Sequence, residues 1–276
     1  MALDNIETLQ ELDLALQHYG LKYKNCRMGE LGNCLMLPHK ECWKNEYGKI
    51  EFWLKLWKFG SGFRYIAKDY FLKIKNVKEH ISMDMNGKDG AKVIDLRKPV
   101  NLSIVGNFDI ITNFGTSEHV ESIWPDDQYM AFKNIHDMCK KNGIMYHQVP
   151  KADNWQPPAS GLPSPHCPYY YYEEFFEKLA LENGYEIYMN KSWNHDMAPI
   201  KRARYECAAI LVKKENRQFC TKEIFSTFKI QRLDHDIGNT GREYLTSSEY
   251  RYKKEVDKIK PHRLNDGGFY LIEDIL

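Results

Sequence analysis

Residues 107–120 read NFDIITNFGTSEHV. The stretch opens on Asn107 and Asp109, runs through Phe108, Ile110 and Ile111, and breaks into Asn113, Gly115, Thr116, Ser117, Glu118 and His119. A short apolar run that ends in turn formers reads as a buried strand. Ligands of α/β sheets bind at the carboxyl ends of the strands, so the polar tail is where function is to be sought.

Other stretches repeat this form. NCRMGELGNCLML (25–37) predicts a strand passing into Gly32 and Asn33, HISMDMNG (80–87) a strand ending at Asp84, and AKVIDL (91–96) a strand ending at Asp95. GIMYHQVP (143–150) predicts a strand closed by Pro150. Helical spacing marks residues 4–19, with Gly20 as the stop, and SGFRYIAKDYFLKIK (61–75). DDQYMAFKNIHDMCKKNG (126–143) is expected to be a helix stopped by Gly143. PYYYYEEFFEKLALENG (168–184) is expected to be a helix that starts near Pro168 and stops at Gly184. YEIYMNKSW (185–193) and YECAAILVKK (205–214) read as two final strands joined by a short polar link, hence antiparallel. KEIFSTFKI (222–230) reads as one more element, and EYLTSSEYRYKKEVDKIK (243–260) as an exposed helix.

Strands alternating with helices predict an α/β fold: a doubly wound, mostly parallel sheet with an antiparallel edge hairpin, helices on both faces, and an extra C-terminal segment. We divide the chain into one domain over 1–215 and an extension of unassigned role over 216–276. Within the first, 1–23 holds an N-terminal helix, and 36–64 and the proline-rich 151–168 are candidate lid segments.

The net charge of +1 gives no electrostatic footprint for nucleic acid or an acidic membrane. The aromatic share of 13% is read as serving a large core first and a stacking pocket second. Seven cysteines without a CxxC pair read as free thiols in a reducing, cytoplasmic compartment, and no metal site is expected. The acidic, amphipathic start is no secretory signal, and no apolar run reaches the length of a membrane span.

Three strand ends carry complementary chemistry. Gly32 lets a backbone approach a ligand closely, Asp84 can accept both hydroxyls of a ribose, and Asp95 with the next backbone N–H can read an adenine edge. In this order they resemble the adenosine pocket of class I (Rossmann-like) S-adenosylmethionine-dependent methyltransferases. The resemblance covers about residues 24–214 and rests on ELGN (30–33), SMDMNG (82–87), VIDLRKP (93–99), FDIITNFGTSEHV (108–120) and the reversed final hairpin. The glycine loop holds only Gly29 and Gly32, where the family often has three glycines.

The resemblance implies S-adenosyl-L-methionine as cofactor, held by Glu30, Gly32, Asn33, Asp84, Met85, Asp95, Leu96, Asn113, Gly115 and Thr116. Methyl transfer to a hydroxyl needs a base. His119 is the leading candidate, with Glu118 beside it, and His147 stands as an alternative catalytic residue. Trp155, His166, Tyr170 and Trp193 are candidate substrate contacts. The expected acceptor is an oxygen of a small molecule or a sugar or glycan. Two other readings stay open: a nucleotide-dependent oxidoreductase, and a non-catalytic partner subunit with a methyltransferase fold. The oligomeric state is not legible.

Overall fold

A computed structural model describes residues 2–3, 6–36, 66–120, 124–153, 167–197 and 202–232. Strands β1 (Ala2–Leu3), β2 (Arg27–Leu31), β3 (Leu35–Met36), β4 (Glu79–Met83), β5 (Phe108–Phe114), β6 (Cys139–Pro150), β7 (Tyr169–Tyr171), β8 (Tyr185–Met197), β9 (Arg202–Lys213) and β10 (Ile230–Arg232) alternate with helices Ile6–His18, Ala67–Lys73, Asp126–Met138, Glu173–Asn183 and Lys222–Ser226. Six strands form the main sheet in the order β4-β2-β5-β6-β9-β8. The first four are parallel, and β9 runs antiparallel to both β6 and β8.

Side chains on successive strand residues point to opposite faces, so neighbours in sequence feed two different layers. Met28, Ile110, Ile144 and Ile210 pack under the 6–18 and 67–73 helices with Leu9, Leu12, Leu16 and Phe71. Leu31, Ile111, Met145 and Leu211 pack on the other face with Phe132, Phe175, Phe176 and Phe225. The sheet is therefore wound on both faces, as expected. Much of the aromatic content serves this second layer: the Phe132 ring lies 5.0 Å from Phe175 and 5.9 Å from Phe225. Each such ring removed from water contributes about 1.5–3 kcal/mol.

The expected third strand over 91–96 does not form. Gly87, Asp89 and Gly90 all take positive φ and reverse the chain at once. Lys92 therefore lands on the strand just left: its N–H donates to Ser82 O at 2.8 Å, and Asp84 N–H donates to Lys92 O at 3.0 Å. This is a single isolated bridge. Val93 then stays 73% exposed, while Ile94 and Leu96 pack on the core without pairing into the sheet.

The helix expected to run to Gly143 stops at Met138, because Cys139 already has extended backbone. Asn142 makes the turn with φ 63°. Gly143 belongs to β6, where a Cβ would come within 2.8 Å of Cys139 Sγ and 3.1 Å of Phe108 O. It permits close packing and stops nothing.

The tyrosine run is not helical at its start. Tyr169–Tyr171 pair antiparallel with Ile230–Arg232. Tyrosine suits a pleated, half-buried surface, and a late segment supplies the partner strand. The helix begins only at Glu173 and ends, as expected, on left-handed Gly184. Residues after 216 join the main core through Phe219, Phe225 and Phe228. Cys26, Cys34, Cys139, Cys167, Cys207 and Cys220 are free and buried. Trp155, His166, residues 37–64 and 233–276, and Cys42 lie outside the described residues.

Candidate functional site

The carboxyl ends of β2, β4 and β5 are tied together by the predicted residues. Gly32 adopts φ 77° and donates its N–H to Met83 O at 2.7 Å. The next N–H, of Asn33, donates to Asp84 Oδ2 at 3.2 Å, and the Asn33 amide reaches Asp89 Oδ2 at 3.0 Å. Asp84 Oδ1 accepts from Asn86 N–H at 3.0 Å. Each Asp84 oxygen keeps a lone pair for a ligand hydroxyl. Met85 follows it in a half-buried turn. From β5, the Thr116 hydroxyl donates to Leu31 O at 2.6 Å, and Gly115, at φ 74°, donates its N–H to Gln148 O at 2.8 Å.

Glu30 is fully buried, with Ser82 Oγ donating to its Oε2 at 2.8 Å. Burial pushes its carboxyl up to about 8, against weaker opposing hydrogen bonds. Asp95 is committed to Arg97, whose Nε and Nη2 both lie 2.8 Å from its two oxygens. Burial alone would raise Asp95, but the Arg97 hydrogen bonds and charge hold it below the usual carboxylate range. The Leu96 side chain is in the core, and its carbonyl accepts from Asn134 Nδ2 at 2.9 Å.

His119 and Glu118 sit on a short 3-10 turn, Ser117–His119, directly after β5. Glu118 is buried, while the His119 side chain is 24% exposed with its Nε2 3.7 Å from Glu118 Oε1. The turn is held by Asn113 and by two groups the sequence reading missed, Gln128 and Tyr171. Asn113 Oδ1 accepts from Ser117 N–H at 3.0 Å. Gln128 Nε2 donates to Ser117 O at 2.6 Å and Val120 O at 3.0 Å, and the Tyr171 hydroxyl donates to Gln128 Oε1 at 2.7 Å. No local motif flags Gln128 or Tyr171. Arg97, two residues after Asp95, could have been found as its ion-pair partner.

Other candidates lie elsewhere. His147 is buried between the Phe132 and Phe176 rings, at 5.5 and 5.3 Å. Asn113 Nδ2 lies 3.2 Å from its Nδ1, so that nitrogen accepts and the neutral ring carries its proton on Nε2. Burial drives its pKa down to about 3. Such a ring is a core residue and is poorly placed as a base for an entering substrate. Trp193 packs in the layer of the 6–18 helix with Lys191 Nζ 4.7 Å above its ring. Tyr170 is buried in a small cluster with Ala152 and Cys167. Among the described residues no group of three or more His, Cys, Asp or Glu is placed to hold a metal ion, and no helix is long and apolar enough to cross a membrane.

No family model matches the sequence, and no curated protein matches it. Similar solved structures include the Burkholderia thailandensis 1,6-didemethyltoxoflavin-N1-methyltransferase, bound to 1,6-didemethyltoxoflavin and S-adenosylhomocysteine. It is 11% identical over 77% of this chain and 80% of that one, with a TM-score of 0.45. A SAM-dependent methyltransferase from Methanosarcina mazei is 11% identical over 72% of this chain and 96% of that one, at a TM-score of 0.41. The cyclase SpnF is 11% identical over 74% of this chain and 80% of that one, at 0.39. The strand order β4-β2-β5-β6-β9-β8, with its reversed edge hairpin, is the doubly wound, mostly parallel α/β sheet that the sequence resemblance implies.

Proposed function

We propose that this protein binds S-adenosylmethionine at the carboxyl ends of β2, β4 and β5 and transfers its methyl group to an oxygen of a small molecule or a sugar. The observation that carries this reading is the knot of Gly32, Asn33 and Asp84, which fixes a carboxylate beside a left-handed glycine at the mouth of the parallel strands. A glycine there admits close backbone approach, and a fixed carboxylate suits a pair of ribose hydroxyls. Glu30 adds a buried carboxyl with an oxygen that has no hydrogen-bond partner, which suits a cationic ligand. These features fit the cofactor. Asp95 would meet an adenine by sharing its carboxylate with Arg97.

Bound S-adenosylmethionine would supply an activated methyl group on a sulfonium. The chain supplies position and a proton acceptor. In this reading Asp84 and the Gly32 loop hold the adenosine. The Asn113–Thr116 turn walls the site beside the methionine part. His119 takes the hydroxyl proton at Nε2, and the buried Glu118 carboxylate stabilises the imidazolium that results.

Calorimetry with S-adenosylhomocysteine and NAD tests the reading. S-adenosylhomocysteine should bind, and Asp84→Ala should weaken it roughly 100-fold. That is about 3 kcal/mol, the worth of two hydrogen bonds to a charged acceptor. Binding of NAD without the sulfur ligand favours an oxidoreductase, and binding of neither leaves a partner subunit. His119→Ala should keep cofactor affinity while lowering turnover roughly 100-fold to 10,000-fold. The readout is S-adenosylhomocysteine released with an acceptor found by screening alcohols and sugars. Undiminished turnover would remove His119 as the base.

A further inference from the structure

Glu30 is 0% exposed and stands two residues before Gly32 on β2. Among the described residues its Oε1 has no hydrogen-bond partner within ordinary geometry, and Cys34 lowers the carboxyl only weakly. Ser82 and His80 face it from β4, with His80 Nε2 3.9 Å from its Oε2. Cys34 faces it from the loop after β2, and Thr112 is its register partner on β5. Farther out, Asp84 acts on Cys34 and Lys68 acts on His80. Among the described residues, none of the groups touching Glu30 carries a positive charge at neutral pH. Burial holds His80 down to about 3, so its ring, stacked 5.7 Å from Phe71, is neutral. A carboxylate buried without a charge partner is costly, and such a group keeps its proton instead.

We infer that Glu30 is a protonated carboxylic acid before ligand binds and releases that proton when the cationic cofactor seats on the Gly32 loop. Binding and deprotonation are thus one coupled event. The proton leaves Glu30 for solvent, and the carboxylate it leaves behind pairs with the ligand's positive charge. This rests on the proposed cofactor and adds a regulation of its site by pH. The direction follows from mass action. Burial holds free Glu30 up to about 8, so below that pH binding must expel a proton, and affinity rises as pH rises. The rise approaches about tenfold per pH unit well below pH 8 and levels off above it.

The test is calorimetry of the full chain with S-adenosylhomocysteine, which carries the α-ammonium, in phosphate and in Tris at pH 7. The two buffers differ in ionisation enthalpy, so the difference in heat counts protons. Roughly nine-tenths of a proton should be released per ligand. Glu30→Gln, checked for native fold by circular dichroism, should release almost none and lose the pH slope between 6 and 8. Wild-type binding with equal heats in both buffers and no pH slope overturns the inference while leaving the cofactor in place. So does proton release that survives in Glu30→Gln. No binding by the wild type at any pH overturns the proposed function, and this inference with it.

Discussion

Lowering the pH from 7 to 5 is expected to remove about 3 kcal/mol of folding stability, well before ordinary carboxylates titrate. Burial depresses His80 to about 3 and His147 to about 3, against an unfolded value of 6.5. His136 is lowered to about 4, first by burial and then by the Lys213 charge. Its ring is also committed, with Nδ1 2.6 Å from the Tyr185 hydroxyl and Nε2 2.7 Å from Arg217 O. Between pH 6.5 and about 4 the unfolded chain binds protons at these sites and the folded chain does not. Stability therefore falls as pH falls through that window, by roughly 2 kcal/mol for each histidine at pH 5. Glu30 acts in the opposite sense. Its folded value is raised to about 8 from 4.5, so the folded chain holds the extra proton and gains roughly 2.5 kcal/mol over the same interval. The balance is a net loss near 3 kcal/mol. Urea unfolding at the two pH values measures it. In Glu30→Gln the offset is gone, and the loss should grow to roughly 5–6 kcal/mol. Equal wild-type midpoints at pH 5 and 7 would show that these histidines titrate normally.

The parts of the fold that were legible in the sequence are those where one local signal matched one physical role. FDIITNF was readable because a central parallel strand is buried on both faces, and its apolar run shows that directly. The final hairpin was readable because Ala208–Val212 is continuously apolar and its partner is close in sequence. Gly184 was readable because a helix end needs a left-handed residue. The misreadings share a different cause. VIDL looks like a strand, yet the positive-φ turn before it decides where it can lie. The first tyrosines look like a helix start, yet Ile230–Arg232, about sixty residues later, makes them a strand. His147 looked like a base at a strand end. Alternation along β6 turns it into the aromatic layer, while Tyr146 and Gln148 face the other way. Adjacent strand ends tell which residues reach the site edge, and partners distant in sequence then decide which way each is turned.

Gln128→Ala is expected to cost roughly 3 kcal/mol or more, although Gln128 would touch neither cofactor nor acceptor in the proposed function. The side chain is 0% exposed in the first turn of the 126–138 helix. Removing it strips the Val120 carbonyl of its amide donor, takes one of two donors from the Ser117 carbonyl, and leaves the Tyr171 hydroxyl only the longer bond to Ser117 Oγ. Each polar group left unsatisfied in the interior costs about 1–3 kcal/mol, and no water enters such a site without room to bond. Tyr171→Phe removes a single hydroxyl and orphans only the Gln128 Oε1 that accepted from it, so it should cost less, about 1–2 kcal/mol. Urea unfolding of the two variants gives the ordering. Hydrogen exchange gives the location, because the amides of His119 and Val120, which bond to Thr116 O and Ser117 O, should lose protection in Gln128→Ala. A Gln128→Ala protein within about 0.5 kcal/mol of wild type, with those amides still protected, would mean that the turn holds itself. If the turn does depend on Gln128, then the position of His119 is set from the helix after β5 and from β7, whose pairing partner is β10. The late segment 230–232 would then bear on the candidate base through two strands and one glutamine.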